Sequence, residues 1–505
     1  MFKDESFDVI IIGAGIGGTV CAALLSHAGF KTLVLEKNDQ VGGACSSYNK
    51  EGFVIDQACH IIPIGIKGMF GKVLKRCSLQ NLKFSTGIVT NSAMRLLNTG
   101  YIKMGVSQGE VHSPERLKKN LKPLGFTSEE QDEMIKVLFK LLQIPKRKIR
   151  KMLDEKVSLY TFLDGLTESD RIKAFLSWFN GLMFVIPPRY TSAGEFLLSY
   201  QEMMIKNDAS YPIGGCIAIP SAFVEGIKKF GGTVLTNTKV KQIIIENDRA
   251  TGVELEDGTR INSKIIISNL NIKQTVRTLV GPKYFENSYL KIVNNLMESW
   301  SSVVLKIALD KIIIPNFSSV HLFNVDDFMY QLETIDEVYD AVAKGEIPDK
   351  PGFMVPIPSN IDPNLAPPGK QLLICGSIGP PTREKQNWDP WIKKYYDSIL
   401  EFHPEIDDHK IFMDVSTPSP TTGKIKVTTN FSIFTGNCSV EGTALTQDQS
   451  GKYRISSQLP IEGLFVVGDS AGTDTHGIGT QIAADSGFKC AEFIMKKYKL
   501  QRKMV

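Results

Sequence analysis

No stretch of this chain reaches the roughly twenty consecutive apolar residues that a membrane-spanning helix needs. Charge of one sign is scarce as well. The 58 Lys and Arg against 54 Asp and Glu leave a formal net charge of +4, and no arginine-rich stretch interleaves with aromatics, so nucleic acid is not an expected partner. Eight cysteines are scattered without a single C-x-x-C pair, which removes zinc knuckles and dithiol redox motifs and leaves reduced, mostly buried thiols. The seven histidines form no H-E-x-x-H or comparable grouping, and no metal is expected. The opening MFKDESFD is short and acidic rather than a secretory leader, so a cytosolic location is expected, with peripheral contact to a membrane still compatible.

What is present is an ordinary globular composition, 42% hydrophobic and 22% charged over 505 residues, long enough for two or three compact units. Residues 9–43 carry the sharpest signal. A run of apolar β-formers, VIIIGAGIGG, opens into a helix that leads to a second strand, KTLVLEKNDQVGG. Gly13, Gly15 and Gly18 fit G-x-G-x-x-G: the first makes a tight turn, the second lets backbone approach a pyrophosphate, and the third lets helix and strand pack closely. Glu36 closes the second strand at the spacing of a carboxylate that accepts from ribose hydroxyls. Strand, glycines, helix, strand and acid in order make a dinucleotide site.

The other pieces select the dinucleotide. Gly42-Gly43 follows Glu36 directly, and IEGLFVVGDSAGTDTHGIGTQIAADSG near the far end supplies another strand, acid and glycine-rich helix start. FAD is long enough to be gripped at adenosine, pyrophosphate and ribityl chain by separate segments, and it is preferred over NAD. The fold class expected is α/β. A Rossmann-like FAD-binding domain, a parallel sheet with helices on both faces, is assembled from residues 1–66, 211–270 and 456–505. The middle piece reads as Gly-rich turn, helix, strand, strand, hairpin at Asp257-Gly258, strand. Residues 67–210 read as a largely helical insertion, with EEQDEMIKVLFKLLQI at helical period, and residues 271–455 as a mixed α/β substrate domain. In the latter, SSVVLKIALD and KQLLICGSIG look like strands and DPWIKKYYDSILEFHPEI like a helix.

Four blocks, DVIIIGAGIGG with LEKNDQVGGACSS, GFVIDQACH, YPIGGCIAIPSAFVEGIKKFGGTVLTNTKVKQI and IEGLFVVGDSAGTDTHGIGTQIAADSG, resemble the phytoene desaturase, carotenoid isomerase and retinol saturase branch of the FAD-dependent amine oxidase superfamily. GNCSVEGTALTQDQSGKYR is a looser match to a glycine-bearing loop near the flavin. The resemblance implies that Gly13, Gly15 and Gly18, with Ile16 and Gly17, cradle the pyrophosphate. Glu36 and Lys37 would meet the adenosine end, and Gly42, Gly43 and Ala44 would pass beside the phosphates and ring. It further implies that the backbone of Val240 meets the adenine, that Asp469, after Gly468, accepts from the ribityl chain, and that Gly479, Thr480 and Gln481 aim helix N-terminal amides at phosphate or flavin oxygen. One departure stands out: where the family often has Asp-x-Gly, this chain has Asp56-Gln57-Ala58.

A flavin ring is its own electron sink, so cofactor contacts rather than a catalytic triad are expected to dominate the site. His60, after the flavin-side strand, and His476, in TDTHGIGTQ, are the candidate catalytic residues, as proton donor or substrate contact; the bland reading of each is a structural histidine. Lys306 reads as an edge or solvated lysine, with approach to flavin N5 the alternative. Trp178, Phe179, Met183 and Phe184 read as core before pocket wall. PKRKIRK and KKYKLQRK read as solvated faces, with docking to an anionic bilayer the alternative. The function expected is oxidoreduction of a hydrophobic isoprenoid or polyene substrate by hydride transfer at the flavin, with an electron acceptor or donor that the sequence does not identify. The alternatives are an amine or porphyrinogen oxidase and a non-catalytic flavin-bound scaffold. A covalent flavin is not indicated, although Cys438 lies close enough in sequence to keep the idea open.

Overall fold

A computed structural model describes residues 6–58, 61–85, 91–104, 113–323 and 335–502. The strand Ser6–Ile12 lies at the centre of one sheet, parallel to Thr32–Leu35 on one side and to Arg260–Ser268 on the other. Thr233–Leu235 extends the first side, and Leu464–Val466 pairs in parallel with the end of Arg260–Ser268. Three segments far apart in the chain thus supply adjacent strands. Their sequences are near-continuous β-branched runs because both faces are covered. Val9, Ile11, Ile265 and Ile267 are buried with helices Ile16–His27, Ala218–Lys229 and Thr480–Arg502. Ile10, Ile12 and Ile266 face a meander, Val240–Glu246 and Arg249–Leu255, and the short helical run Ile272–Val280.

The turn at Asp257-Gly258 is present, with Gly258 at φ +83°. A second turn, at Asn247-Asp248, splits the expected single strand in two. Both residues have positive φ, 51° and 59°, the pairing of left-handed residues whose twist matches flanking antiparallel strands. Asn and Asp tolerate that region better than other side chains bearing a Cβ.

Among the described residues the second sheet has eight strands. Ser301–Leu309 runs antiparallel between Gln371–Gly379 and Lys410–Thr417, and Asp389–Phe402 forms the expected helix. At the far edge, Ser92–Leu96 lies parallel to Ser319–Phe323 and antiparallel to Gly100–Lys103. Reading 67–210 as largely helical misses this strand pair, which stitches the two insertions into one sheet. Helices Ser128–Gln143, Asp170–Phe184 and Ala193–Lys206 share one apolar cluster with it. Thr127 and Glu130 close a reciprocal capping box that starts the first of these. Trp178, Met183 and Phe184 are buried in that cluster and Phe179 packs against it, as the core reading expects. The cations of PKRKIRK stand in solvent on helix Lys146–Asp154 while Ile149 turns inward.

Candidate functional site

The site is built at the C-terminal ends of the parallel strands, where open α/β sheets bind ligands. Gly13 turns at φ +96°, and Gly15 precedes helix Ile16–His27. Close approach is what excludes side chains here. A methyl on Gly18 would lie 2.3 Å from the Gly13 carbonyl oxygen, and one on Gly17 would lie 2.7 Å from both the Gly468 nitrogen and Asn269 Oδ1. The glycine loop and the C-terminal segment are therefore in direct contact. Ile16, the first helical residue, is buried. Glu36 Oε2 accepts from the Ala14 N–H at 2.8 Å and its Oε1 from the Asn38 N–H at 2.9 Å; a carboxylate has about four acceptor positions, so capacity is left for hydroxyl donors.

Gly42 pairs with Gly15 across an isolated bridge, its N–H donating to the Ala14 carbonyl at 2.8 Å. Gly42 and Gly43 both have positive φ, 109° and 58°, and Ala44 is exposed beside them. Lys37 donates from Nζ to the Ile433 carbonyl, and burial lowers its pKa. Val240 is buried at the start of its strand, and Thr238, two residues before, donates its N–H to the Glu36 carbonyl.

In the third segment, Gly468 turns at φ +108° and hands the chain to Asp469. Burial raises the Asp469 pKa, against the pull of Arg454 and a bond from Asn437 Nδ2 at 3.3 Å. Arg454, itself buried, donates to the Asp469 backbone carbonyl. Gly442, at φ +64°, passes so close that a methyl there would lie 2.4 Å from the Asp469 carboxyl carbon. Next to it, Glu441 Oε2 accepts from the Gly479 N–H at 2.7 Å, immediately ahead of helix Thr480–Arg502. Burial pushes the Glu441 carboxyl up to about 8. The Gln481 amide is turned to other use, which corrects part of the expectation for that helix start. Its N–H donates to the Ile478 carbonyl at 3.0 Å, and its side chain bridges the Met69 N–H and the Ile64 carbonyl.

Two features escape sequence reasoning. Asn269, the polar residue ending the strand Arg260–Ser268, sets its side chain among Gly15, Gly17, Gly18 and Gly468; its only sequence signal is a polar residue closing an apolar run. Asp56, read as part of a departure from pattern, is a buried hub. It accepts from Tyr211 Oη, from Ser47 Oγ at 2.7 Å, from the Cys216 N–H at 2.9 Å and from Cys216 Sγ at 3.0 Å. The hub ties GFVIDQA to YPIGGC.

The expectation of a solvated Lys306 is overturned. Lys306 is 0% exposed, because its strand is central and both of its faces are covered. Its Nζ lies 3.5 Å from Gln57 Oε1 and 5.0 Å from the centre of the Tyr48 ring. Burial lowers its pKa to about 7 against the pull of Asp414 and Asp56. Gln57 is held in turn by Thr429 Oγ1 at 2.6 Å.

His60 lies outside the described residues. The imidazole of His476 sits between two carboxylates, Nε2 3.6 Å from Glu202 and Nδ1 3.8 Å from Asp485, so it links the glycine-rich loop to helix Ala193–Lys206. Burial lowers its pKa, against those two acids. Cys438 is buried near Glu298, and burial lifts its thiol to about 11; a covalent link needs the thiolate, which is scarce there at neutral pH.

A glycine cradle too close for side chains, a ribose-type carboxylate with spare acceptor capacity and a buried acid on the third segment fit a long dinucleotide. Residues 16–495 match the family described as flavin containing amine oxidoreductase, and the chain belongs to it: this is an FAD-dependent oxidoreductase. It is 29% identical over 406 residues to a phytoene desaturase of Fusarium fujikuroi, covering 74% of this chain and 66% of that protein, just under two thirds of its length. It is 26% identical over 475 residues to an all-trans-retinol 13,14-reductase of Danio rerio, covering 82% of this chain and 75% of that protein. A solved oxidoreductase from Methanosarcina mazei shares the fold at a TM-score of 0.69 and 19% identity, over 96% of this chain and 99% of that one.

Proposed function

We propose that this oxidoreductase acts on a hydrophobic isoprenoid or polyene substrate, by desaturation, saturation or isomerisation. The observation that carries the reading is the apolar body formed where the helical insertion meets the eight-stranded sheet. Trp178, Phe196, Tyr200, Trp300 and Leu305 belong to one buried cluster beside the third cofactor segment, which Ile478 and Ile482 join. Apolar surroundings of this kind exclude water and suit a hydrocarbon substrate. The names of the two relatives, one acting on phytoene and one on retinol, support the same substrate class.

Bound FAD supplies a ring that takes or returns a hydride. The chain's own residues hold and orient. In this reading the amides of the loop from Gly13 to Gly18 face the pyrophosphate, where the positive end of helix Ile16–His27 favours negative charge. Gly42, Gly43 and Ala44 pass alongside, Lys37 and the Val240 backbone flank the adenosine, and Glu36 accepts from its ribose. Asp469 accepts from the ribityl chain, and the helix start at Thr480 faces the far end of the cofactor. His476 accepts or relays a proton at Nε2. Asn269 holds the glycine loop and Gly468 in register.

Anaerobic mixing of the oxidised holoprotein with a solubilised polyene, an amine and a porphyrinogen, followed at the flavin absorbance band, tests the reading. Bleaching by the polyene alone is expected of a desaturase. For a saturase, the chemically reduced protein should reoxidise with the polyene; for an isomerase, the reduced protein should interconvert polyene isomers without net reoxidation. Bleaching by the amine or porphyrinogen alone, or inertness of both oxidised and reduced protein toward every polyene, refutes it.

A further inference from the structure

Glu441 is a buried acid set beside the third cofactor segment. Its backbone is pinned, the N–H donating to Ser299 Oγ at 2.8 Å, while the next residue's carbonyl accepts from the Ser299 N–H at 3.0 Å. The side chain is thereby delivered to the start of helix Thr480–Arg502, where it takes the Gly479 amide. Contacts run without a break along this edge of the sheet: Gly17 touches Gly468, Asp469 follows, Asp469 touches Gly442, and Glu441 touches Gly479. A cofactor laid from the glycine loop along that line meets the Glu441 carboxyl at its far end, and an electronegative ring oxygen would compete with that carboxyl for the same amide.

We propose that Glu441 is a proton-dependent latch on the flavin seat: as the neutral acid it remains and donates to the arriving cofactor, and as the carboxylate it opposes binding. The inference rests on the flavin and is independent of the substrate.

The charges facing Glu441 set its behaviour. Asp469, at the end of the strand Leu464–Val466, raises its pKa and Arg454, in the loop after the short helix Gly451–Tyr453, lowers it, while burial outweighs both. Behind Arg454 stand Glu195 of helix Ala193–Lys206 and Asp485 of helix Thr480–Arg502. A carboxyl with its midpoint at about 8 is mainly neutral at pH 7 and mainly charged at pH 9. Neutral, it is both donor and acceptor, and it can keep the Gly479 bond at one oxygen while offering O–H from the other. Charged, it only accepts, and it adds a negative charge beside Asp469 where an electron-rich ring edge must sit.

The test is FAD binding to the apoprotein, followed by quenching of flavin fluorescence from pH 6.5 to 9.5. If binding requires the neutral acid, Kd rises about tenfold per pH unit once the carboxylate dominates, and Glu441→Gln, which keeps a donor and an acceptor, flattens that rise while matching wild type within a few-fold at pH 7. Titration calorimetry at pH 9 in two buffers of different ionisation enthalpy reads the same coupling on wild type alone, with close to one proton taken up per FAD expected. A flat wild-type profile, an undiminished slope in Glu441→Gln, or no proton uptake at pH 9 overturns the latch. So does loss of FAD binding by a Glu441→Gln protein with an unchanged thermal midpoint, and so does a wild type that binds no FAD at any pH.

Discussion

Replacing Lys306 by methionine should make the protein more stable at neutral pH and remove part of its dependence on pH. An unfolded lysine titrates near 10.5, whereas burial holds Lys306 at about 7. Below pH 7 the ammonium is charged in both states, and the folded state bears the full cost of keeping it from water. Between 7 and 10.5 the unfolded chain binds more protons than the folded one, so stability rises with pH. One pKa unit is about 1.4 kcal/mol, and the gap between 7 and 10.5 corresponds to a penalty on the order of 5 kcal/mol at low pH. Methionine fills similar volume without that penalty. The bond it loses is a long one, and Gln57 keeps its partner Thr429. Equilibrium urea unfolding of Lys306→Met and wild type at pH 7.5 and 9.5 measures the effect. The advantage of the variant should shrink by about 2 to 3 kcal/mol over that interval. An advantage that is equal at both pH values, or a variant less stable than wild type at pH 7.5, would refute the reasoning.

Removing the Asp56 carboxylate by Asp56→Ala strands the buried Tyr211 hydroxyl and the Cys216 N–H, at about 1–3 kcal/mol for each unsatisfied group. A loss of about 3 to 5 kcal/mol in the unfolding free energy is expected, and less than 1 would show that the hub is replaceable. Gly17→Ala puts a methyl 2.7 Å from the Gly468 nitrogen and must push the third segment off the first. Overpacking of this kind costs about 1–3 kcal/mol, and the flavin-to-protein ratio after purification should fall well below that of wild type, while full occupancy would show that the two segments can part without loss.

The cofactor half is legible because its chemistry is backbone chemistry. Gly15, Gly17 and Gly18 are demanded by contacts that leave no room for a Cβ, Gly13 by its positive φ, and Glu36 by its place one residue after a strand. Side chains acting from strand interiors are harder to read. SSVVLKIALD declares a strand, but a strand apolar on both faces gives no period by which to say that Lys306 points inward. Glu441 stands in SVEGTAL with nothing to separate it from a surface acid, since what buries it is Ser299 and Gly479, far away in sequence. Asp56 gives no sign of being a hub in its own block, GFVIDQA, because its partners Tyr211 and Cys216 lie in another. Asn247-Asp248 lacks the glycine that usually marks a two-residue hairpin, so the turn hides inside a β-branched run.

The pairing of Ser6–Ile12 with Arg260–Ser268 bears on how the protein is born. A ribosome adds about 5–20 residues per second, so Ser6–Ile12 waits roughly 10 to 50 s for the neighbour that completes its hydrogen bonds. Throughout that wait a bare edge rich in isoleucine is exposed in the nascent chain, in the form most prone to pair with a stranger. Ser92–Leu96 faces a similar delay before Ser319–Phe323 emerges. Chaperone capture of the ribosome-bound chain between these two events follows from this order of synthesis.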